Sequence, residues 1–109
     1  MVSLTRIFAV VFGVLLSVCV FADTQWIDVR SQLENKVDSI EGDRRISYDK
    51  IVPEVEQLFA DKNTPIKLYC RSGGRAKKAK LSLKAAGYTQ VENVGGINDA
   101  RNVRKIEPE

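Results

Sequence analysis

Apolar positions in this chain form one long run at the start and then short clusters, separated by polar, glycine-containing segments. Three of the short clusters have the length and β-favouring composition of buried strands, and they cover residues 26–30, 66–69 and 88–94. Two intervening segments repeat their apolar residues every three or four positions, which is typical of one face of a helix. Strands that alternate with helices predict an α/β fold, with a central parallel sheet flanked by helices.

Both helical segments contain signals for where they begin or end. The first has Pro53, which is tolerated only near a first turn, so we predict that this helix begins between residues 49 and 52. The second covers residues 75–86 and ends before Gly87. Its apolar stripe comprises Ala76, Ala79, Leu83 and Ala86, and its polar side comprises Lys77, Lys78, Lys80 and Lys84. The lysines indicate a solvated face or, alternatively, a positive rim that attracts anionic substrates.

The remaining segments give weaker signals. Residues 31–37 are polar and have room for one helical turn. Residues 39–47 contain only two apolar residues, Ile40 and Ile46, and give little indication of any element. The residues that follow Gly96 are predicted to form a short polar tail.

The long apolar run at the start has the three-part pattern of a secretory signal, with a positively charged start, an apolar stretch and small residues at a cleavage site. It is shorter than a membrane span, which needs roughly 20 apolar residues. We therefore predict a signal peptide of residues 1–22 and one domain of residues 23–109, exported and without stable membrane insertion. An alternative is lipid attachment at Cys19, although Val18 is bulky where lipoprotein signals have a small residue.

Composition narrows the chemistry of residues 23–109. The chain has 17 Lys and Arg against 14 Asp and Glu, and this charge balance is too weak to predict a nucleic-acid partner. After removal of the leader, Cys70 is the only thiol, which excludes an internal disulfide and a cysteine-based metal site. The chain has no histidine, which excludes a Cys–His nucleophile pair and the usual zinc ligand sets. We expect no metal and no cofactor.

The candidate chemistry lies in one loop, Cys70-Arg71-Ser72-Gly73-Gly74-Arg75, between a predicted strand and a predicted helix. Ligands of parallel α/β sheets bind at the carboxyl ends of the strands, where this cysteine lies. The turn directs backbone N–H groups and the positive end of the helix toward the sulfur, and two arginines add positive charge. An unperturbed thiol has a pKa of about 8.5, and such surroundings lower it. The loop therefore predicts a reactive thiolate; the alternative is a small buried hydrophobe at Cys70.

Four segments in this order and spacing resemble the rhodanese family, and especially its small, exported, single-domain thiosulfate sulfurtransferases of Gram-negative bacteria. They are residues 26–30, 68–75, 86–88 and 91–97. The resemblance implies a single rhodanese-like domain, a periplasmic location and a persulfide mechanism. Cys70 would take the outer sulfur of thiosulfate, release sulfite and pass the sulfur to cyanide or a small thiol. The implied partners are therefore a small anionic sulfur donor and a thiophilic acceptor.

The same resemblance implies roles within the loop. Backbone N–H groups along it would cradle the anionic persulfide, and the two arginines would attract thiosulfate. The predicted substrate-binding residues are Arg71, Ser72, Gly73, Gly74 and Arg75, with Cys70 as the catalytic residue. For Asp28 and Arg30, at the end of the first predicted strand, we favour a structural ion pair or a hydrogen-bonded strand end over a role in the site.

The chain departs from the family pattern at residues 39–46, where charged residues replace positions that are normally apolar or amide-bearing. Two other functions stay open at this point. A phosphatase or arsenate reductase of the tyrosine-phosphatase type has its loop arginine six positions after the cysteine, whereas here Arg75 comes at five and Ala76 at six. A non-catalytic persulfide carrier or binding module would use the same loop as the enzyme.

Overall fold

The computed structural model describes residues 23–107, and within them lie four strands, four α-helices and one 3-10 turn at Tyr48–Lys50. The strands are β1 (Gln25–Asp28), β2 (Arg44–Arg45), β3 (Ile66–Cys70) and β4 (Val91–Gly96). The helices are α1 (Gln32–Val37), α2 (Ile51–Leu58), α3 (Gly74–Ala85) and α4 (Ile97–Arg104). The strands form one parallel sheet in the order β2-β1-β3-β4, which confirms the predicted α/β fold.

The predicted signal peptide and Cys19 lie outside the described residues. No helix within residues 23–107 is long and apolar enough to cross a membrane.

The central strand β3 contributes to the core on both faces of the sheet. Leu68 and Cys70 belong to the larger apolar cluster, which α2 and α3 cover. Tyr69 belongs to a smaller cluster on the opposite face, together with Ile97 and Ala100 of α4. Parallel strands with both faces covered have near-continuous apolar sequences, which is why the sequence predicts this strand correctly. The strand extends one residue beyond the prediction and ends at Cys70.

Helix α3 lies against the sheet through small side chains, as predicted. Ala76, Ala79 and Leu83 are fully buried, whereas Ala86 caps the helix and is half-buried. Gly87 follows with a φ of +103°, a left-handed conformation that favours glycine and ends the helix.

Two weakly signalled segments form defined elements, and the first predicted helix is confirmed. The predicted helical turn is α1, which begins with a capping box between Ser31 and Glu34. The segment without a clear pattern contains the two-residue strand β2, which pairs with β1 and is followed by buried Ile46. Helix α2 begins at Ile51, within the predicted interval, and ends at Leu58.

The prediction of a polar tail after Gly96 is wrong, because residues 97–104 form helix α4. Ile97 and Ala100 bury their side chains against the sheet. The third buried position of this helix is Arg101, whose guanidinium pairs with the carboxylate of Asp38. A helix that buries a charged residue in place of an apolar one shows too little hydrophobic periodicity to be recognised.

The third predicted strand begins later than expected, since β4 runs from Val91 to Gly96. Tyr88 lies in the connection that precedes it and is buried there. Its hydroxyl donates a hydrogen bond of 2.6 Å to the carbonyl oxygen of Phe59. The apolar character of Tyr88 therefore reflects packing in the connection and not membership of the strand.

Candidate active site

Cys70 is the last residue of β3, at the carboxyl edge of the sheet, and lies at the base of the predicted loop. The residue is only 1% exposed and belongs to the same core cluster as Ala76. Burial alone would agree with the alternative of a small core residue. The polar contact of the sulfur does not agree with it, because the Gly73 N–H donates a hydrogen bond of 2.9 Å to Cys70 Sγ.

The pKa of Cys70 lies below the ordinary thiol value, although burial alone would raise it. Four backbone N–H groups outweigh the burial, and they belong to Ala76, Ser72, Gly73 and Arg75. Ala76 is absent from the predicted site. Its N–H lies in the first turn of α3, where backbone donors have no partner within the helix, and this is the signal that would have included it. The loop therefore favours the thiolate without a histidine base.

The two glycines of the loop have different roles. Gly73 has a φ of +106°, a left-handed conformation that favours glycine, and it forms the N-cap of α3. Gly74 is the first residue of α3, and a β-carbon at this position would meet no atom within 4 Å. The shape of the loop therefore depends on Gly73 and not on Gly74.

Strand β4 supports the loop from the neighbouring position in the sheet. The Asn93 side chain links the two, because its Nδ2 donates to the Gly73 carbonyl at 2.9 Å and its Oδ1 accepts from the Gly95 N–H at 2.9 Å. A β-carbon on Gly96 would lie 2.3 Å from the carbonyl oxygen of Arg71, so only glycine fits there. The sequence pattern alone predicts no role for Asn93. An amide side chain within a strand, two positions before a pair of glycines, is the signal that indicates one.

The two arginines of the loop have different surroundings. The Arg75 guanidinium forms two hydrogen bonds with the Glu34 carboxylate, of 2.7 and 2.9 Å. This pair lowers the pKa of Glu34 well below its usual range and raises that of Arg75. Arg71 is exposed and forms no ion pair within residues 23–107. Of the two predicted anion-attracting residues, Arg71 is therefore the one whose charge is uncompensated.

Asp28 and Arg30 form a buried ion pair, which confirms the structural interpretation of these residues. Arg30 Nη2 lies 2.9 Å from Asp28 Oδ2, and the Arg30 side chain also donates to the backbone carbonyl of Asp38. Asn35 Nδ2 donates to the same Asp28 oxygen at 3.1 Å. These contacts fix the connection between β1 and α1, so they hold α1 beside the cysteine loop.

A cleft of about 490 Å³, which we name the Arg71 cleft, opens between α1, the start of the loop and the start of α4. It is lined by Arg30, Leu33, Glu34, Val37, Asp38, Arg71, Ile97 and Asn98. A second cleft, of about 330 Å³, lies beside Pro65 and Gln90, at the opposite end of β3 and β4 from Cys70. In the part of the chain that the structure describes, no three side chains of the metal-ligating types come together to hold a metal ion.

Comparisons with known proteins cover most of the chain. The family model of the rhodanese-like domain matches the sequence of residues 20–102, which include the whole cysteine loop. The thiosulfate sulfurtransferase PspE of Escherichia coli K12 is 36% identical over 83 residues, which are 76% of this chain and 80% of that protein. The tRNA uridine(34) hydroxylase of Escherichia coli O1:K1 / APEC is 32% identical over 89 residues, but these are 25% of its length and 76% of this chain. A solved rhodanese with anions from E. coli aligns with a TM-score of 0.67 and 34% identity, covering 71% of this chain and 91% of that one.

Proposed function

The chain belongs to the rhodanese-like family, and on that premise we propose that it is a thiosulfate sulfurtransferase that acts through a persulfide on Cys70. The observation that supports this most is the set of backbone N–H groups around the Cys70 sulfur, which lower its pKa in spite of burial. The similarity to PspE, a thiosulfate sulfurtransferase, supports thiosulfate as the donor. The acceptor is cyanide or a small thiol.

The first step loads the sulfur. The Cys70 thiolate attacks the outer sulfur of thiosulfate, a new S–S bond forms, and the original S–S bond breaks with its electron pair leaving on sulfite. The persulfide keeps one negative charge on its outer sulfur, and preorganised N–H donors stabilise such a charge. The donors of Ser72, Gly73, Arg75 and Ala76 serve that role. The exposed Arg71 attracts the thiosulfate dianion toward the loop.

The second step returns the enzyme to its starting state. The carbon of cyanide attacks the outer sulfur, the persulfide S–S bond breaks, and thiocyanate leaves. The electron pair of the broken bond returns to Cys70 Sγ as a thiolate. A thiolate whose pKa is lowered leaves faster, so the same N–H groups assist both steps.

Thiocyanate formation from thiosulfate and cyanide tests this proposal. We expect turnover by the purified protein and none by the Cys70→Ser variant, with intact mass showing one added sulfur after thiosulfate alone. Turnover that persists in Cys70→Ser would overturn the proposal. A stable added sulfur that cyanide does not remove would instead indicate the non-catalytic carrier. The phosphatase alternative requires a loop arginine directed at the anion, whereas Arg75 is directed at Glu34.

We further propose that residues 1–22 direct export to the periplasm and are then removed. Expression in a Gram-negative host, followed by fractionation and N-terminal sequencing, tests this. We expect periplasmic protein that begins at Asp23. A protein that begins at Cys19 and is found in the membrane fraction would indicate lipid attachment.

A further inference from the structure

Helix α3 concentrates positive charge on its surface. Five of its twelve residues are cationic and none is acidic. The cationic residues are Arg75, Lys77, Lys78, Lys80 and Lys84. Arg75 pairs with Glu34, whereas the four lysines form no ion pair among residues 23–107. The helix therefore presents four cations that no carboxylate of the described residues neutralises by direct contact.

This charge opposes the local stability of the helix. Its first turn contains Arg75 and Lys77 and no acidic residue, although the helix dipole favours carboxylates there. Lys80 lies three positions after Lys77 and four positions before Lys84, and like charges at these spacings repel each other. Stability alone therefore does not account for the lysines, and departures from local stability are expected at functional surfaces.

Three of the lysines lie three and four positions apart, and they therefore lie side by side on one flank of the helix. This group, which we name the lysine flank, comprises Lys77, Lys80 and Lys84. Lys78 lies on the other flank, where its Nζ is 5.8 Å from the ring centroid of Tyr48. Helix α2, which carries Glu54 and Glu56, follows directly after the turn that contains Tyr48. The carboxylates of α2 are therefore on the side of Lys78 and not on that of the lysine flank.

Strand β4 does not supply a carboxylate to the lysine flank either. Val91 of β4 shares a core cluster with Leu83 of α3, so these two elements pack together. The next residue of the strand, Glu92, pairs with Lys67 at 3.5 Å. Lys67 Nζ lies 5.3 Å from the ring centroid of Trp26, which belongs to the cluster on the opposite face of the sheet. Glu92 is therefore directed away from α3.

We propose that the lysine flank docks the protein on an anionic phospholipid bilayer. Lysine ammonium groups are point charges on flexible stems, which suit a diffuse layer of phosphates better than bidentate recognition of one carboxylate. Leu81 is 59% exposed, lies one turn from Lys77 and Lys84, and provides an apolar contact at the same surface. Neither the Arg71 cleft nor the cleft beside Pro65 is lined by a residue of α3, so neither provides a groove for a peptide along this helix.

This docking leaves the candidate active site open to solution. Helix α3 covers one face of the sheet, and α4 covers the other. Ile97 of α4 lines the Arg71 cleft, so the cleft opens on the side away from the bilayer. Because α3 begins within the cysteine loop, docking holds Cys70 close to the bilayer surface. The proposal goes beyond the proposed function and does not depend on it, since binding does not use the Cys70 thiolate.

Cosedimentation with lipid vesicles tests the proposal. The full chain is mixed with vesicles of phosphatidylcholine alone or of phosphatidylcholine with phosphatidylglycerol, and the bound fraction is measured against lipid concentration. We expect binding to the vesicles that contain phosphatidylglycerol, weak binding to phosphatidylcholine alone, and loss of the difference in about 0.5 M salt. The Lys77→Gln, Lys80→Gln, Lys84→Gln variant should bind the anionic vesicles at least tenfold more weakly.

A second triple variant provides the matched control. Lys36→Gln, Lys50→Gln, Lys105→Gln removes the same charge from exposed lysines of other elements, none of which forms an ion pair within residues 23–107. Its vesicle binding should stay within about twofold of the parent protein. Both variants keep residues 1–22 unchanged, so the difference between them reports the lysine flank alone. Glutamine has nearly the helix propensity of lysine, so α3 should form equally well in its variant.

Three outcomes would overturn the proposal. The first is equal loss of binding in the two triple variants, which would assign the attraction to net charge. The second is equal binding of the parent protein to both kinds of vesicle. The third is tighter binding to polyglutamate than to the anionic vesicles, with loss of that binding in the α3 variant, which would assign the flank to an acidic protein. Cys70→Ser should bind the vesicles like the parent, so a lack of thiocyanate formation would refute the proposed function alone.

Discussion

The two ends of the cysteine loop are built in opposite ways. Three contacts fix the end that joins α3. The Gly73 N–H donates to the sulfur, and the Asn93 side chain donates to the Gly73 carbonyl. The Glu34 carboxylate pairs with Arg75. The end that follows β3 exposes Arg71, which has no ion-pair partner among the described residues and borders a cleft. One end of the loop therefore fixes the sulfur, whereas the other end presents a guanidinium without an ion-pair partner among the described residues, where we propose that the anionic donor binds.

The largest effect is expected at the end of the loop that joins α3, where Gly73→Ala should reduce kcat/KM for thiocyanate formation about a hundredfold. Alanine is disfavoured at a φ of +106°, so the loop must turn its N–H groups away from the sulfur. Gly74→Ala is the matched control and should stay within about twofold, since open space surrounds that position. Equal activity of the two variants would show that the conformation of Gly73 does not shape the site.

Substitutions of the two arginines should affect different quantities: activity for Arg71 and stability for Arg75. Arg71→Gln should lower kcat/KM for thiosulfate about tenfold, the equivalent of about 1.4 kcal/mol, with an unchanged denaturation midpoint. Arg75→Gln should instead lower the free energy of unfolding by about 0.5–1 kcal/mol, because it breaks a partly exposed ion pair.

Glu34→Gln provides the control for this difference, since it breaks the same pair and leaves both arginines in place. Its stability loss should match that of Arg75→Gln. If Arg75→Gln reduced thiosulfate turnover more than Arg71→Gln, the assignment of the anion to Arg71 would be wrong.

Asn93 should act as a positioning residue with a smaller effect. Asn93→Ala removes two hydrogen bonds to the loop and to β4, and we expect a loss of about 1–2 kcal/mol in stability together with a few-fold loss of activity. The activity loss should be accompanied by a rise in the pKa of Cys70, measured from the pH dependence of alkylation. Asn102→Ala, an exposed substitution on α4, should change neither quantity. An unchanged alkylation profile in Asn93→Ala would reduce Asn93 to a purely structural role.

The smallest effect is expected in the pH dependence of stability. Because folding lowers the pKa of Cys70, the unfolded chain binds more protons, and stability relative to Cys70→Ser rises with pH. The gain is complete above the unfolded thiol pKa of about 8.5 and disappears as the pH falls through the folded value. Denaturant midpoints of both proteins between about pH 6 and about pH 10 measure it. A difference that falls with rising pH would contradict the account.

Local patterns made the core of the site predictable from the sequence. The strand, the loop and the helix around Cys70 are consecutive, so an apolar run, a glycine turn and an alanine stripe suffice to identify them. The predicted and observed ends of these elements differ by one residue, and Cys70 lies at the carboxyl edge of the sheet in both.

The surroundings of the loop could not be predicted in the same way. Glu34 is 41 positions before Arg75 in the chain, and no spacing rule sets the direction of the Arg75 side chain. Asn93 likewise reaches the loop only because β4 pairs with β3. Helix α4 is not predicted from the sequence, because its buried Arg101 interrupts the apolar pattern. Contacts that depend on tertiary pairing, and buried charges, give no periodic signal.

Titration of Cys70 tests most directly whether the backbone N–H groups of the loop lower the pKa of its thiol. In a Cys19→Ser variant Cys70 is the only thiol of the chain, so the rate of alkylation against pH reports its pKa alone. We expect a midpoint below the ordinary thiol value of about 8.5, and an upward shift when Gly73→Ala is added. A midpoint at or above the ordinary value, unchanged by Gly73→Ala, would contradict the account.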